Sequence, residues 1–266
     1  MAIINITPDS FSDGGEAFTP DAAMDRIRLA RDQGAAILDL GGESTRPGAA
    51  RVPPIEQAAR VLPVIRAARR EGIDLPISID TTRAEVARAA IDAGADIIND
   101  VSAGLDDPAM IPLAAERSAG LILMHRLRPP SEDVYSNQYE RAPVYAEEAG
   151  GVVGVVRSFL KSRAEDAVRA GVNPESIVLD PGLGFGKSVA QNHELIQRID
   201  EIQTLGFPVL SAASRKSFLS SAPGDHPKSR DAASVAVTVA HRRAGIRLFR
   251  VHNVAAHIDA LHDGPT

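Results

Sequence analysis

Eight times along the 266 residues, a short apolar and β-branched run gives way to a longer amphipathic one. Strands are expected at residues 2–6, 36–40, 76–79, 96–98, 120–124, 176–179, 207–211 and 246–251. Helices are expected at 20–33, 55–70, 83–93, 108–117, 144–170, 190–205 and 230–243, with a last short one to residue 261. Thr19-Pro20 supplies a cap and an opening proline for the first helix, and Gly34 stands where a terminating glycine belongs. A strand, a helix and a following parallel strand form a right-handed crossover. Eight such units in about 250 residues suit a closed α/β architecture, the (β/α)8 or TIM barrel. An open doubly wound sheet is the alternative, and it rarely needs so many regular units. No linker or composition shift divides the chain, so residues 1–266 read as one domain.

Composition narrows the function classes. Hydrophobic residues make up 44% and charged residues 24%, ordinary for a soluble globular chain. The formal net charge is −6 and no basic stripe is visible, which argues against a nucleic-acid partner. Aromatic residues are 4% with no Trp, too few for a base-stacking platform. Cysteine is absent, which excludes disulfides, thiolate metal sites and a cysteine nucleophile. No apolar run nears the ~18 residues of a membrane helix, and the first residues lack a basic leader segment. A soluble, cytoplasmic protein with no membrane partner is the expectation.

In a barrel of this kind the site is built at the C-terminal ends of the strands, and there the unusual residues collect. The first strand runs into Asn5-Ile6-Thr7-Pro8-Asp9-Ser10-Phe11-Ser12-Asp13-Gly14-Gly15, the second into Gly42-Glu43-Ser44-Thr45-Arg46-Pro47-Gly48. The third ends at Asp80, the fourth at Asn99-Asp100 and the fifth at Met124-His125. Asp180-Pro181-Gly182-Leu183-Gly184-Phe185-Gly186-Lys187, Ser214-Arg215-Lys216-Ser217 and Arg250-Val251-His252-Asn253 follow the last three. Singly, each has a plain explanation. Asp80, Asn99 and Asp180 suit helix caps, the glycines suit a tight turn, Met124 suits a core, and Lys216 suits a solvated surface. Arg250 and His252 lie two apart, so both face one side of a strand; they suit a buried pair or two cations facing a phosphate. Polar groups at the same end of all eight strands point to one convergent pocket.

The run Asn-Ile-Thr-Pro-Asp-Ser-Phe-Ser-Asp-Gly-Gly, with Gly-Glu-Ser-Thr-Arg-Pro-Gly, Asp-Pro-Gly-Leu-Gly-Phe-Gly-Lys and Ser-Arg-Lys-Ser-Phe in that order and spacing, resembles the dihydropteroate synthases. The resemblance extends from Ile3 to about Val254. It implies a sulfonamide target that joins 6-hydroxymethyl-7,8-dihydropterin pyrophosphate to p-aminobenzoate in folate biosynthesis, by an SN1-like transferase reaction that releases pyrophosphate. It implies pterin contacts from Asp80, Asn99, Met124, Asp180 and Lys216. It implies pyrophosphate contacts from Asn5, Ser44, Thr45, Arg250 and His252, and an arylamine pocket from Phe11, Thr45, Arg46, Pro47, Phe185, Lys216 and Ser217. Asp80, Lys216, Arg250 and His252 become the catalytic set. Mg2+ is the implied cofactor, with Asn5 and Asp13 as its protein ligands, and the loops after the first two strands are expected to close over pyrophosphate. A homodimer through helices late in the barrel is also implied.

The sequence departs from the family in places. It starts almost at the first strand, so the N-terminal hairpin common in the family is expected to be absent. Asn253 stands where an Asp often follows the His, and Asp231-Ala232-Ala233-Ser234 where a Gly tends to precede the Ser. Two other readings share the pterin contacts. One is the pterin-binding barrel of a methyltetrahydrofolate:corrinoid methyltransferase, which has little need of the Ser-Arg-Lys-Ser and Ser-Thr-Arg-Pro-Gly loops. The other is a non-catalytic pterin-binding paralogue.

Overall fold

The computed structural model describes residues 1–7, 20–220 and 225–262. Six parallel strands pair in chain order: β1 (Ala2–Asn5), β2 (Leu38–Gly41), β3 (Ile77–Asp80), β4 (Ile97–Asp100), β5 (Gly120–Met124) and β6 (Ile177–Asp180). The short β7 (Leu210–Ser211) and β8 (Leu248–Phe249) pair with each other. Two bridges join these pieces. Leu179 pairs with Val209, and Ala2 pairs with Val251. Backbone hydrogen bonds from Leu179 to Pro208 (2.9 Å) and from Ile3 to Val251 (3.0 Å) accompany them. The sheet therefore closes on itself as a (β/α)8 barrel, not as the open doubly wound sheet.

The helices are α1 (Pro20–Asp32), α2 (Pro54–Arg70), α3 (Ala84–Asp92), α4 (Met110–Arg117), α5 (Gly151–Arg169), α6 (Val189–Gln197), α7 (Ile199–Gln203), α8 (Asp231–Arg243) and α9 (Val254–His262). Three expectations need correcting. The helix expected from 144 starts at Gly151, because Gly150 and Gly151 both adopt positive φ (87° and 63°) and break any continuation from the preceding turn. The helix expected over 190–205 divides at Arg198, whose backbone (φ −111°, ψ 29°) is not helical. Its guanidinium instead reaches Glu194 on one side (2.6 Å) and Glu201 on the other (2.7 Å). The last two strands are also shorter than expected, their outer residues carrying bridges and single bonds. The N-cap expected at Thr19 lies outside the described residues.

Side chains alternate along a strand with a period of two, and here the two faces differ in chemistry. Leu38, Leu40, Ile77, Ile79, Leu121, Leu123, Ile177 and Leu179 join one continuous apolar core with residues of the surrounding helices. The intervening positions carry Asp39, Ser78, Asp80, Asn99 and Asp180, all buried. Barrels of this type usually fill their interior with branched apolar residues. This one places carboxylates and amides there, and the register sets them side by side: Asp39 pairs with Ser78, Asp80 with Asn99, and Met124 with Asp180.

Candidate active site

The interior charges are organised around Arg250, the residue that follows β8. Its Nε donates to Asp39 Oδ2 at 2.6 Å and its Nη2 to Asp80 Oδ2 at 2.7 Å. Asn99 Nδ2 lies 3.3 Å from Asp39 Oδ2, and Asp39 is fully buried. Two carboxylates thus share one guanidinium inside the barrel. Asp80 has an elevated pKa: burial raises it most, Arg250 pulls it back, and the neighbouring Asp39 raises it again. Its second oxygen, Oδ1, is buried with no hydrogen-bond partner, as is Ser78 Oγ on the same strand. Buried polar atoms are rarely left this way without a ligand to complete them.

Asp180 sits at the end of β6, and its Oδ1 accepts from the Gly182 N–H at 2.7 Å. Burial raises its pKa, with that bond and the nearby Lys216 opposing. Val101, Met124 and Phe185 form a small buried apolar cluster separate from the main core. Met124 therefore belongs to the interior end of the barrel and not to the helix-facing core.

Lys216 reaches this region from the loop after β7. Its ammonium lies 4.1 Å from the centre of the Phe185 ring, a cation–π contact. Burial and then Arg250 lower its pKa to about 8, with Asp180 and Asp80 pulling it back up. The preceding residue explains how it gets there. Arg215 is in the left-handed region (φ 59°), uncommon for a side chain other than glycine. Its guanidinium turns to Asp231 on α8 (2.6 and 2.8 Å), and its N–H donates to Ser234 Oγ (2.9 Å). Asn253 completes the same carboxylate, Nδ2 to Asp231 Oδ2 at 3.1 Å. The departures at Asn253 and Asp231 thus form one bracket that holds the Lys216 loop.

The loop after β6 wraps round a second lysine, which sequence reasoning read only as part of a glycine-rich run. Lys187 is completely buried. Its ammonium donates to Gly182 O (2.8 Å) and Phe185 O (2.9 Å), with His125 Nδ1 at 3.1 Å and His125 O at 3.3 Å. Burial lowers its pKa to about 7, opposed by Asp180 and Asp133. His125 is held neutral, its pKa lowered to about 2 by burial and by this lysine. The loop can fold this tightly only because Gly182 and Gly186 adopt positive φ and lack side chains. A Cβ on Gly182 would sit 1.8 Å from His125 O, and one on Gly186 2.3 Å from Leu127 Cβ.

Above these groups opens a cavity of about 380 Å³. Asn5, Ser44, Thr45, Arg46, Pro47, Phe185, Lys216, Ser217, Arg250 and His252 all line it. Asp80, Asn99, Met124 and Asp180 lie deeper, buried in the barrel interior. Asp80 also faces a smaller space shared with Ser44 and Thr45. Phe11 and Asp13 lie outside the described residues, as do Asp9 and Gly14-Gly15. One expectation changes: His252 is not a cation here. Burial, then Arg215, Arg250, Lys216 and Arg46, lower its pKa to about 3. Its Nδ1 lies 3.0 Å from Ser214 Oγ. It stands at the cavity wall as a neutral hydrogen-bonding group.

This geometry has counterparts among known proteins. The family model for pterin binding enzymes matches residues 1–252. The dihydropteroate synthase of Streptococcus pyogenes is 46% identical over 263 residues, covering 98% of this chain and 92% of that protein. The chain belongs to the dihydropteroate synthases. Solved members of that family share the fold closely. The Xanthomonas albilineans enzyme in complex with 7,8-dihydropteroate superposes with a TM-score of 0.82 at 36% identity, covering 100% of this chain and 94% of that one. The Yersinia pestis enzyme in a sulfonamide drug complex gives 0.86 at 35% identity, covering 98% and 91%. The polar barrel interior is thus set within the architecture of the dihydropteroate synthases.

Lys187→Met keeps the bulk of the side chain and removes the donor. Three carbonyls, of Gly182, Phe185 and His125, then lose it. The variant is expected to be less stable by about 3 kcal/mol, the scale of unpairing buried acceptors that were bonded to a charged group. Urea unfolding at neutral pH measures this; a loss below about 0.5 kcal/mol would show that the ammonium does not hold the loop.

Proposed function

We propose that the polar barrel interior binds the pterin of 6-hydroxymethyl-7,8-dihydropterin pyrophosphate, and that the cavity above it takes p-aminobenzoate. The observation that carries this reading is Asp80, buried with Oδ1 unpartnered, beside Asn99 on the next strand and within electrostatic reach of Lys216. A flat heterocycle edged with N–H donors would complete such a set. Asp180 then accepts from the aminopyrimidine edge in a charge-assisted contact, while Asn99 and Lys216 contact the ring's other polar atoms. Met124, in its cluster with Val101 and Phe185, packs on the ring face.

The reaction breaks the bond between the exocyclic CH2 and the pyrophosphate oxygen, and the electron pair leaves with pyrophosphate. Bond breaking first, in the SN1-like manner, leaves positive charge on the pterin. Asp80 faces that charge and stabilises it without reorganising, because Arg250 already fixes its other oxygen. Arg250, Ser44, Thr45 and His252 hold the leaving pyrophosphate. Arg250 retains an Nη1 beyond its two carboxylate bonds, and neutral His252 offers a ring N–H. The amine of p-aminobenzoate then forms the new C–N bond and gives up its proton to solvent. Thr45, Arg46, Pro47, Phe185, Lys216 and Ser217, with Phe11, enclose the arylamine. A sulfonamide would compete for that space.

The donors present suit Mg2+ of a particular kind. Among the described residues no cluster of three or more His, Asp or Glu could form a closed metal cage. Asn5 does line the cavity, and its amide has no hydrogen-bond partner among the described residues. One amide oxygen suits a Mg2+ ion that keeps several waters and takes the rest of its shell from phosphate. Asn5, with Asp13, would hold the ion, which when bound would neutralise charge on the pyrophosphate. The homodimer and the cytoplasmic location that the family implies belong to the same proposal. No helix among the described residues is long and apolar enough to cross a membrane.

The purified chain with the pterin pyrophosphate, p-aminobenzoate and Mg2+ should yield 7,8-dihydropteroate and pyrophosphate in equal amounts, and EDTA should stop both. Lys216→Ala should lower turnover roughly a hundred- to a thousandfold, the scale of one preorganised electrostatic donor. Pterin binding with no product would mark a non-catalytic paralogue. The pH dependence follows from Asp80. Its pKa lies above the ordinary aspartate range, and only the ionised form stabilises the cation. kcat/KM for the pterin substrate should therefore fall as pH drops, with an acid limb well above about pH 4. A profile flat from about pH 8 to about pH 5 would contradict the role given to Asp80.

A further inference from the structure

Of the 29 lysine and arginine side chains, four are lysines, and Lys187 is the one that is completely buried. The reaction as described gives it no task. No carboxylate among the described residues touches it. Its ammonium meets the carbonyls of Gly182 (2.8 Å), Phe185 (2.9 Å) and His125 (3.3 Å), and His125 Nδ1 (3.1 Å). Acceptors converging on one point suit the three rotatable donors of an ammonium and not the flat fork of a guanidinium. Burying a cation with no counter-ion in contact is costly. The charge must be balanced from further away.

Asp180 supplies that balance. Asp180 and Lys187 stand at the two ends of one eight-residue run, which folds back so that Gly182 lies between them. The Gly182 N–H donates to Asp180 Oδ1 at 2.7 Å, and the Gly182 carbonyl accepts from Lys187 at 2.8 Å. One residue thus turns its donor to the anion and its acceptor to the cation. It does so at φ 69°, where an added Cβ would sit 1.8 Å from His125 O, so glycine alone makes this link. Burial lowers the Lys187 pKa, and Asp180, ahead of Asp133, opposes the shift. Asp133 already uses both oxygens, on Gly186 N (2.7 Å) and Val134 N (3.0 Å). Asp180 has only Oδ1 engaged among the described residues, which leaves Oδ2 for a ligand.

We propose that Lys187 is a positioning residue: through the Gly182 peptide, its ammonium fixes Asp180 as the anionic acceptor of the pterin's 2-amino group. The inference rests on the substrate reading above. Lys187 touches no substrate, and it acts as a charge and not as packing. It thereby sets how strongly the site prefers a ring that carries that amino group.

The test compares binding of 6-hydroxymethylpterin with that of 6-hydroxymethyllumazine, which has an oxygen in place of the 2-amino group. Lys187→Met should weaken pterin binding about tenfold, the scale of a charge-assisted hydrogen bond, and leave the lumazine within about twofold. A merely structural loosening would weaken both alike. The chain has no cysteine, so Lys187→Cys can be alkylated in urea on its one thiol and refolded. 2-Bromoethylamine restores an ammonium, and 1-bromopropane gives the same length without charge. The aminoethyl chain should regain the wild-type preference, and the propyl chain should match Lys187→Met. A further arm needs no variant. With the lysines of the wild-type chain labelled with 15N at Nζ, the signal slowest to exchange with solvent is that of Lys187; the pterin should shift it and the lumazine should leave it nearly in place. Equal weakening of both ligands in Lys187→Met, rescue by propyl as full as by aminoethyl, equal shifts of the Lys187 signal, or a wild-type chain with no preference each overturns the role of Lys187 and leaves pterin binding standing. A wild-type chain that binds no pterin overturns the substrate reading, and the role of Lys187 with it.

Discussion

Everything at the centre of this barrel depends on one guanidinium shared by two carboxylates. Arg250 bonds Asp39 at 2.6 Å and Asp80 at 2.7 Å in a buried interior. Burying charge is costly unless it is paired and hydrogen-bonded. Asp39 and Asp80 lie on adjacent strands, two register positions apart, and would repel without the cation between them. Arg250 makes the carboxylates tolerable and fixes the direction of Asp80. The cost that remains is an uncompleted oxygen and a raised pKa, and both sit where a ligand's donors would relieve them. A barrel interior packed with branched apolar residues would be easier to fold and would offer no partners to a polar ligand.

The loops above this centre are fixed by local devices. Lys187 gathers the carbonyls of the loop after β6, and glycines at positive φ let that loop come close. Asp231 gathers Arg215 and Asn253, so that Lys216 faces inward to Phe185. Gln57 on α2 links Glu43 of the loop after β2 to Thr81 after β3. Each device spends a buried or half-buried polar group on holding a neighbour that faces the cavity. Preorganisation of this kind removes reorganisation from the reaction itself.

Much of this was legible in the sequence, because the barrel's period and its strand-end polarity are local signals. Asp80, Asn99 and Asp180 stand at the last inward position of their strands, where a polar residue after an apolar run is conspicuous. Asp39 was missed for the opposite reason. It lies inside a strand, between Leu38 and Leu40, and only the period of two reveals that it faces the interior. Lys187 sits in a quoted motif, but its four acceptors come from a fold that brings residues 125 and 182–185 together. His252 looked like a cation because its neighbours in sequence do not include Arg215 or Arg46, which help to keep it neutral. The break at Arg198 and the late start of α5 are backbone events at single residues, invisible to hydrophobic periodicity.

The most direct test of the central pairing is a double-mutant cycle on kcat/KM with Asp39→Asn, Asp80→Asn and the two together. If Asp39 acts only by holding Arg250 against Asp80, its substitution should cost activity in the wild type and almost nothing once Asp80 is changed, so the double variant resembles Asp80→Asn alone. Losses that multiply independently would contradict the shared guanidinium as the link between the two carboxylates.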